Sequence, residues 1–486
     1  MAQRSLTGDV ERQFARVGAA LDAFLLPGGG DPVDRRAEWT AALEQDLPEH
    51  GIGGEAVVAE IADILIPNGG RFASAGFWGW ITVGPDTVPV AAAAAASLAA
   101  PQRYTINAFN LLEEQSLRWL AALCGLPEAM GGVYSSGGSV ANLVALGAAR
   151  QYALEQRGVD PAADGVGTGD VAIYASAEVH HTVQRSAAVL GIGRSHVRLI
   201  ETDDAQRLEV AALRRALEED RGSGVIPIAV VGTAGTTNTG AIDPLRAIGE
   251  VAHEFGAWFH VDGAYGLLGS LDSRVAPLYD GLELADSAIV DPHKWLGAPV
   301  GIAATFVRDR SILYRAFTQE PAAYLETISE TPDDGVLSSL QSMGVPYSEL
   351  AVELSAPSRG AVVWSIVREL GRDGVAERIR RNNDHARRLA ELVRAHPRLE
   401  LLSTPVLSIC CFRYSADGIA DLDAFNAEIL QRLYLRTPYV PSSTRVGESL
   451  ALRPCFINSR TEDEDIDAFA EAVVRIGDQL RFERVG

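Results

Sequence analysis

The sequence predicts an α/β fold: a mainly parallel central sheet with helices on both faces, a helical N-terminal segment and a small α+β C-terminal domain. Three observations predict it. From about residue 85 to 355, short apolar runs alternate with helix-length segments, as expected of strands buried on both faces by crossover helices. The polar residues of chemical interest follow the ends of those runs, which is where such sheets bind ligands. The flanking stretches lack this alternation, so the chain divides into residues 1–84, 85–357 and 358–486.

Taken in order, Val10 to Leu26 and Gly54 to Ile66 carry apolar residues at helical spacing, and Pro27 with the following glycines ends the first helix. This segment holds little core of its own and is expected to pack on something else, such as a second subunit. Strands are predicted at Val171–Tyr174, Val197–Ile200, Ile226–Val231, Trp258–Val261, Ser287–Val290 and Ile302–Val307. Helices are predicted between them at Val179–Leu190, Val210–Glu219 and Asp243–Phe255. Residues 308–350 lose regular patterning, as a binding loop or lid would. Beyond them come helices at Arg359–Leu370 and Val375–Ala395, a strand pair around Val406–Phe412 and Ala451–Phe456, and a last helix at Glu464–Leu480.

Composition narrows the function. The chain has 486 residues, 47% of them hydrophobic and 22% charged, in keeping with a globular protein. Its net charge of -22 argues against nucleic acid and anionic membrane surfaces as partners. Cys124, Cys410, Cys411 and Cys455 form no C-x-x-C pair, so neither a disulfide framework nor a zinc site is expected. The N-terminus lacks a signal-peptide core, and the run Ala91 to Ala96 is too short to span a bilayer. A cytoplasmic location follows as the expectation.

Lys294 is the only lysine; every other basic position of the Lys+Arg total is arginine. A primary amine can lose its proton and attack a carbonyl to form a Schiff base, which a guanidinium cannot. Asp262 follows the apolar run Trp258–Val261, where a buried carboxylate needs a partner. The turn Ser135-Ser136-Gly137-Gly138-Ser139 opens a helical run and suits a phosphate at a helix start. His180-His181 offers a planar imidazole after a strand end. A phosphate cradle, a planar stacker, a carboxylate and one reactive amine together specify pyridoxal 5'-phosphate.

These residues carry a resemblance. His293-Lys294-Trp295 after Asp291-Pro292, His260-Val261-Asp262 with Ala264-Tyr265, the Gly-Gly-Ser-x-Ala-Asn turn, and Leu452-Arg453-Pro454-Cys455 with Arg460-Thr461 resemble the group II pyridoxal-phosphate-dependent amino-acid decarboxylases. The resemblance implies the fold type I architecture of such enzymes and a homodimer with the site at the interface, clasped by the N-terminal helices. By position it implies that Lys294 binds the cofactor, Asp262 pairs with its ring nitrogen and His180 stacks on the ring. Gly138, Ser139 and His293 would hold the phosphate, with Thr233 nearby. Tyr324 stands where the family places a mobile-loop tyrosine that protonates the substrate carbon after CO₂ leaves. The family's aldehyde-forming relatives carry Phe there.

Trp78, Trp80 and Arg453 are the candidate substrate residues, and the aromatic pair favours an aromatic over an acidic amino acid. Asp291 stands where many relatives have Asn, so an acid lies near the expected phosphate. The expected activity is decarboxylation of an L-amino acid to amine and CO₂. The alternatives are aldehyde synthesis by decarboxylation with oxidative deamination, carbon–carbon lyase chemistry, or a cofactor-binding protein without activity.

Overall fold

The computed structural model describes residues 9–26, 36–103, 107–167, 169–318, 345 and 347–485. Two compact units make up the chain, Met1–Phe77 and Trp78–Gly486. In the first, α1 (Asp9–Phe24), α2 (Arg36–Leu43) and α3 (Gly54–Glu60) are described, and neither α1 nor α3 has a buried residue. The helical path after α3 loosens into a π turn at Ile61–Leu65 and a 3₁₀ turn at Ile66–Asn68. Pro67 lacks the N–H that would continue the α ladder there.

The second unit is built on a seven-stranded sheet in the order β2-β8-β7-β6-β5-β3-β4. Its strands are β2 (Gly131–Ser135), β3 (Val171–Ser176), β4 (Val197–Ile200), β5 (Ile226–Thr233), β6 (Trp258–Asp262), β7 (Ser287–Val290) and β8 (Ala303–Val307), following the two-residue β1 (Phe77–Trp78). Strands β4, β3, β5, β6 and β7 pair in parallel, whereas β8 runs antiparallel to both β7 and β2. Every residue of β3, β6, β7 and β8 is buried, which explains why these strands read as unbroken apolar runs. Helices α6 (Gly138–Glu155), α7 (Thr182–Val189), α8 (Val210–Gly222) and α9 (Leu245–Glu254) lie between consecutive strands as crossovers.

Two further helices, α4 (Thr87–Ala99) and α5 (Ala108–Leu123), precede the sheet, and α10 (Ser311–Phe317) follows β8. The helical stretch α11 (Gly360–Ala395) covers the two helices predicted there. It breaks at Gly371, whose φ of 64° only glycine adopts without strain. A smaller antiparallel sheet contains β9 (Leu399–Ser403), β10 (Cys411–Tyr414), β11 (Val440–Val446) and β12 (Ser449–Arg453), in the order β11-β12-β10-β9, with Trp78 bordering β11. Against it pack α12 (Leu422–Arg436) and α13 (Asp463–Val485), and a second core forms around Phe412, Phe425, Phe456 and Phe469. The predicted strand pair exists as β10 against β12, registered at Phe412 opposite Leu452. No helix among the described residues is long and apolar enough to cross a membrane.

Candidate active site

The carboxyl ends of β5, β6 and β7 come together because these strands are parallel neighbours. A cavity of about 390 Å³ lies there, lined by Gly138, Ser139, Asn142, His180, Thr233, Asp262, Asp291, His293 and Lys294 among others. A second cavity of about 530 Å³ shares His180, Thr237 and Lys294 with the first and is otherwise lined by Trp80, Ile81, Asn238, Leu430, Arg453 and the segment 441–444. The two spaces therefore meet at Lys294.

Each site residue is set by its element. Lys294 follows β7 by a turn in which its backbone N–H donates to the Asp291 carbonyl at 2.9 Å. Its Nζ lies 3.1 Å from Asp291 Oδ2, and that carboxylate is 2% exposed. The acid thus points at the amine, and His293 Nε2 is a second basic neighbour at 3.7 Å. The Trp295 ring anchors the turn, stacking on Tyr265 at 5.0 Å and donating from Nε1 to Asn382 Oδ1 at 3.0 Å.

Asp262, the last residue of β6, is buried and accepts from Asn142 Nδ2 at 3.1 Å and from the Ala264 backbone N–H at 3.2 Å. Thr233 ends β5 and is locked by a different carboxylate. Asp243 accepts from the Thr233 N–H at 2.8 Å and from the Leu208 N–H at 2.7 Å, and burial pushes its carboxyl up to about 6. His180 stands just before α7, where its Nδ1 lies 2.7 Å from the Thr182 hydroxyl and burial lowers its basicity.

Helix α6 starts at Gly138 directly after Gly137, whose φ is 149°. A side chain on Gly138 would place its Cβ 2.6 Å from Asp291 Oδ2, so only glycine lets the turn approach the 291–294 segment. Of the three predicted substrate residues, Trp80 and Arg453 line the outer cavity and Trp78 does not. Trp78 is fully buried in the second core, donating to Thr461 Oγ1 at 2.9 Å and stacking on Tyr439, and it lines neither cavity. Arg453 does line the outer cavity, but its guanidinium donates to the carbonyls of Trp80, Thr237 and Asn238 and to Ser442 Oγ. Trp80 is 64% exposed at the rim, with a φ of 51° that is rare outside glycine. Tyr324 lies outside the described residues.

Comparison with known proteins identifies the architecture. The pyridoxal-dependent decarboxylase conserved domain matches residues 41–415. The chain belongs to this family of pyridoxal-dependent decarboxylases. An aromatic-L-amino-acid decarboxylase of Bacillus atrophaeus is 31% identical over 362 residues, 73% of this chain and 70% of the relative. A 4-hydroxyphenylacetaldehyde synthase of Rhodiola rosea is 26% identical over 88% of this chain and 86% of its own. The solved structure of Oryza sativa TDC with PLP and tryptamine superposes with a TM-score of 0.88 at 25% identity, covering 99% of this chain and 100% of that one. Other relatives are named as tryptophan and L-2,4-diaminobutyrate decarboxylases.

The protein is thus a carboxy-lyase of fold type I whose cofactor is pyridoxal 5'-phosphate. The inner cavity fits that group. Thr233 Oγ1 is buried without a hydrogen-bond partner, and a buried hydroxyl left unpaired in this way needs a ligand or water to satisfy it. The helix start, the amine and the acid at a strand end supply the matching donors and charge. Sequence reading assigned no role to Asn142, Thr182 or Asp243, although Asn142 lay within a quoted motif. Only the bonds described above single them out.

Proposed function

We propose that this decarboxylase acts on an L-amino acid with an aromatic side chain and releases the amine and CO₂. The observation that carries the reading is the position of Lys294 where the two cavities meet. Its Nζ would be the nucleophile toward the cofactor's aldehyde carbon, and the Asp291 carboxylate 3.1 Å away is placed to accept a proton from it. The Asp262 carboxylate, fixed by the Asn142 and Ala264 N–H groups, would pair with the protonated ring nitrogen. His180 would stack on the ring face. Gly138, Ser139, His293 and Thr233 receive the phosphate at the start of α6. When bound, pyridoxal phosphate is the electron sink for the pair left on the substrate α carbon as CO₂ departs. Tyr324 is the proton donor to that carbon.

An aromatic side chain is favoured by the outer cavity. Trp80, Ile81, Leu430 and Pro441 give it apolar surface, with hydroxyls at Ser442, Ser443 and Thr444. Apart from Lys294, Arg453 is the cation lining that cavity, and its N–H groups are engaged by carbonyls. A homodimer is what the family resemblance implies. A cytoplasmic location is supported by four buried cysteines, all free.

The test is a panel of amino acids incubated with the holoenzyme while amine, CO₂, aldehyde and hydrogen peroxide are all measured. Amine and CO₂ in equal amounts, fastest with an aromatic substrate, is the expected result. Aldehyde with peroxide would instead support the second reading, aldehyde synthesis, which the Rhodiola relative's name favours.

A further inference from the structure

Behind the inner cavity runs a buried chain of hydrogen bonds, of which the catalytic reading uses only the link from Asn142 to Asp262. Trp258 Nε1 donates to Ser287 Oγ at 2.7 Å, and Ser287 Oγ lies 2.9 Å from His260 Nδ1. His260 Nε2 lies 3.0 Å from Asn142 Oδ1. Asn142 Nδ2 reaches both Asp262 Oδ2 at 3.1 Å and Thr182 Oγ1 at 3.2 Å. Thr182 Oγ1 in turn lies 2.7 Å from His180 Nδ1. The chain therefore joins the carboxylate at one edge of the cavity to the imidazole at another.

The direction of every bond follows from its ends. A carboxylate only accepts, so Asn142 turns its NH₂ to Asp262 and its carbonyl to His260. His260 must then donate from Nε2. It is fully buried, which lowers its basicity to about 4 and keeps the ring neutral, so its Nδ1 accepts from the Ser287 hydroxyl. The other hydrogen of the Asn142 amide goes to Thr182 Oγ1, whose own hydrogen is left for His180 Nδ1. The Thr182 backbone N–H points at the same nitrogen, at 3.4 Å. With two donors aimed at Nδ1, His180 carries its proton on Nε2, the only ring hydrogen left for the cavity.

We propose that Asn142 and His260 are positioning residues that orient Asp262 and fix the His180 tautomer together, so that a ligand meets an acceptor at one edge and an N–H donor at the other. Asn142 acts through both of its partners at once. His260 acts one bond further back by forcing the orientation of the Asn142 amide. This rests on the proposal that Asp262 and His180 face the cofactor, and it adds to that proposal a requirement on two residues with no chemistry of their own.

The experiment has two parts. In the unmodified holoenzyme, ¹⁵N-histidine NMR reads the ring tautomers, and both His260 and His180 are expected as neutral Nε2–H forms. Titration of the cofactor-free variants with pyridoxal phosphate then reads affinity. Asn142→Leu is expected to weaken it roughly tenfold or more, the scale of one hydrogen bond to a charged group. His260→Gln, whose amide N–H can replace the Nε2 donor, is expected to retain affinity better than His260→Leu.

A proton on Nδ1 of either histidine overturns the proposal even if every variant misfolds. So does an Asn142→Leu protein that binds the cofactor as tightly as the parent. Failure of the underlying reading is distinguishable, because it would show as an Asp262→Ala protein that binds the cofactor as tightly as the parent, whatever the tautomers are.

Discussion

His260 shows what burial does to a single side chain in this protein. Its imidazole sits between Ser287 and Asn142 with no exposed surface, and its basicity falls to about 4. A free imidazole protonates near pH ~6.5. As pH falls, the unfolded chain takes up the proton before the folded one does, so His260 disfavours the fold increasingly from about pH 6.5 down to about 4. Asp243 works in the opposite direction. Burial raises it to about 6, so the fold favours its protonated form and acidification through that value stabilises. The parent's pH profile is then a composite, and comparison with a variant isolates one part. Between pH ~7 and ~5, the thermal midpoint of the parent should fall relative to that of His260→Gln. Parallel profiles would mean that His260 titrates normally. The same residue scale explains what the sequence left hidden. Lys294 and Asp262 were legible because each is polar at the end of an apolar run. The partners of Asn142 lie 40, 118 and 120 positions away along the chain, and no local pattern encodes bonds across such spans.

At the scale of elements, strands buried on both faces were the easiest to read. Strand β7, buried throughout, matches the predicted range residue for residue, and so does the edge strand β4, where Leu199 is exposed. The antiparallel sense of β8 was not legible, since direction leaves no mark on a strand buried on both faces. Strands β9 and β11 were missed for a related reason. Neither contains a fully buried residue, so neither displays a clean apolar run. Helix α7 begins at Thr182, three residues later than expected, because Val179 N–H closes a turn on Ser176 and the chain must present His180 first. The start of α6 carries the sharpest test at this scale. A methyl group on Gly138 would lie within 2.6 Å of Asp291 Oδ2. Gly138→Ala should push the turn and the 291–294 segment apart and weaken cofactor affinity by an order of magnitude or more, with the thermal midpoint of the cofactor-free protein little changed. Affinity equal to the parent's would show that the close approach is dispensable.

For the whole molecule, the two sheets of the described residues share one purpose: to hold a single amine over a cavity. The large sheet delivers Asp262 and Lys294 from adjacent parallel strands. The smaller sheet contributes Arg453 from β12, whose guanidinium ties Trp80, Thr237 and Asn238 into the wall of the outer cavity. The composition of the chain makes the central claim unusually open to test, because arginine has replaced lysine everywhere except at position 294. Borohydride reduction of the purified holoenzyme, followed by peptide mass mapping, locates the covalently held cofactor without competing lysines. The account predicts pyridoxyl phosphate on the peptide containing Lys294, and neither label nor CO₂ release in Lys294→Arg. Label on any other residue, or undiminished label in that variant, would contradict it.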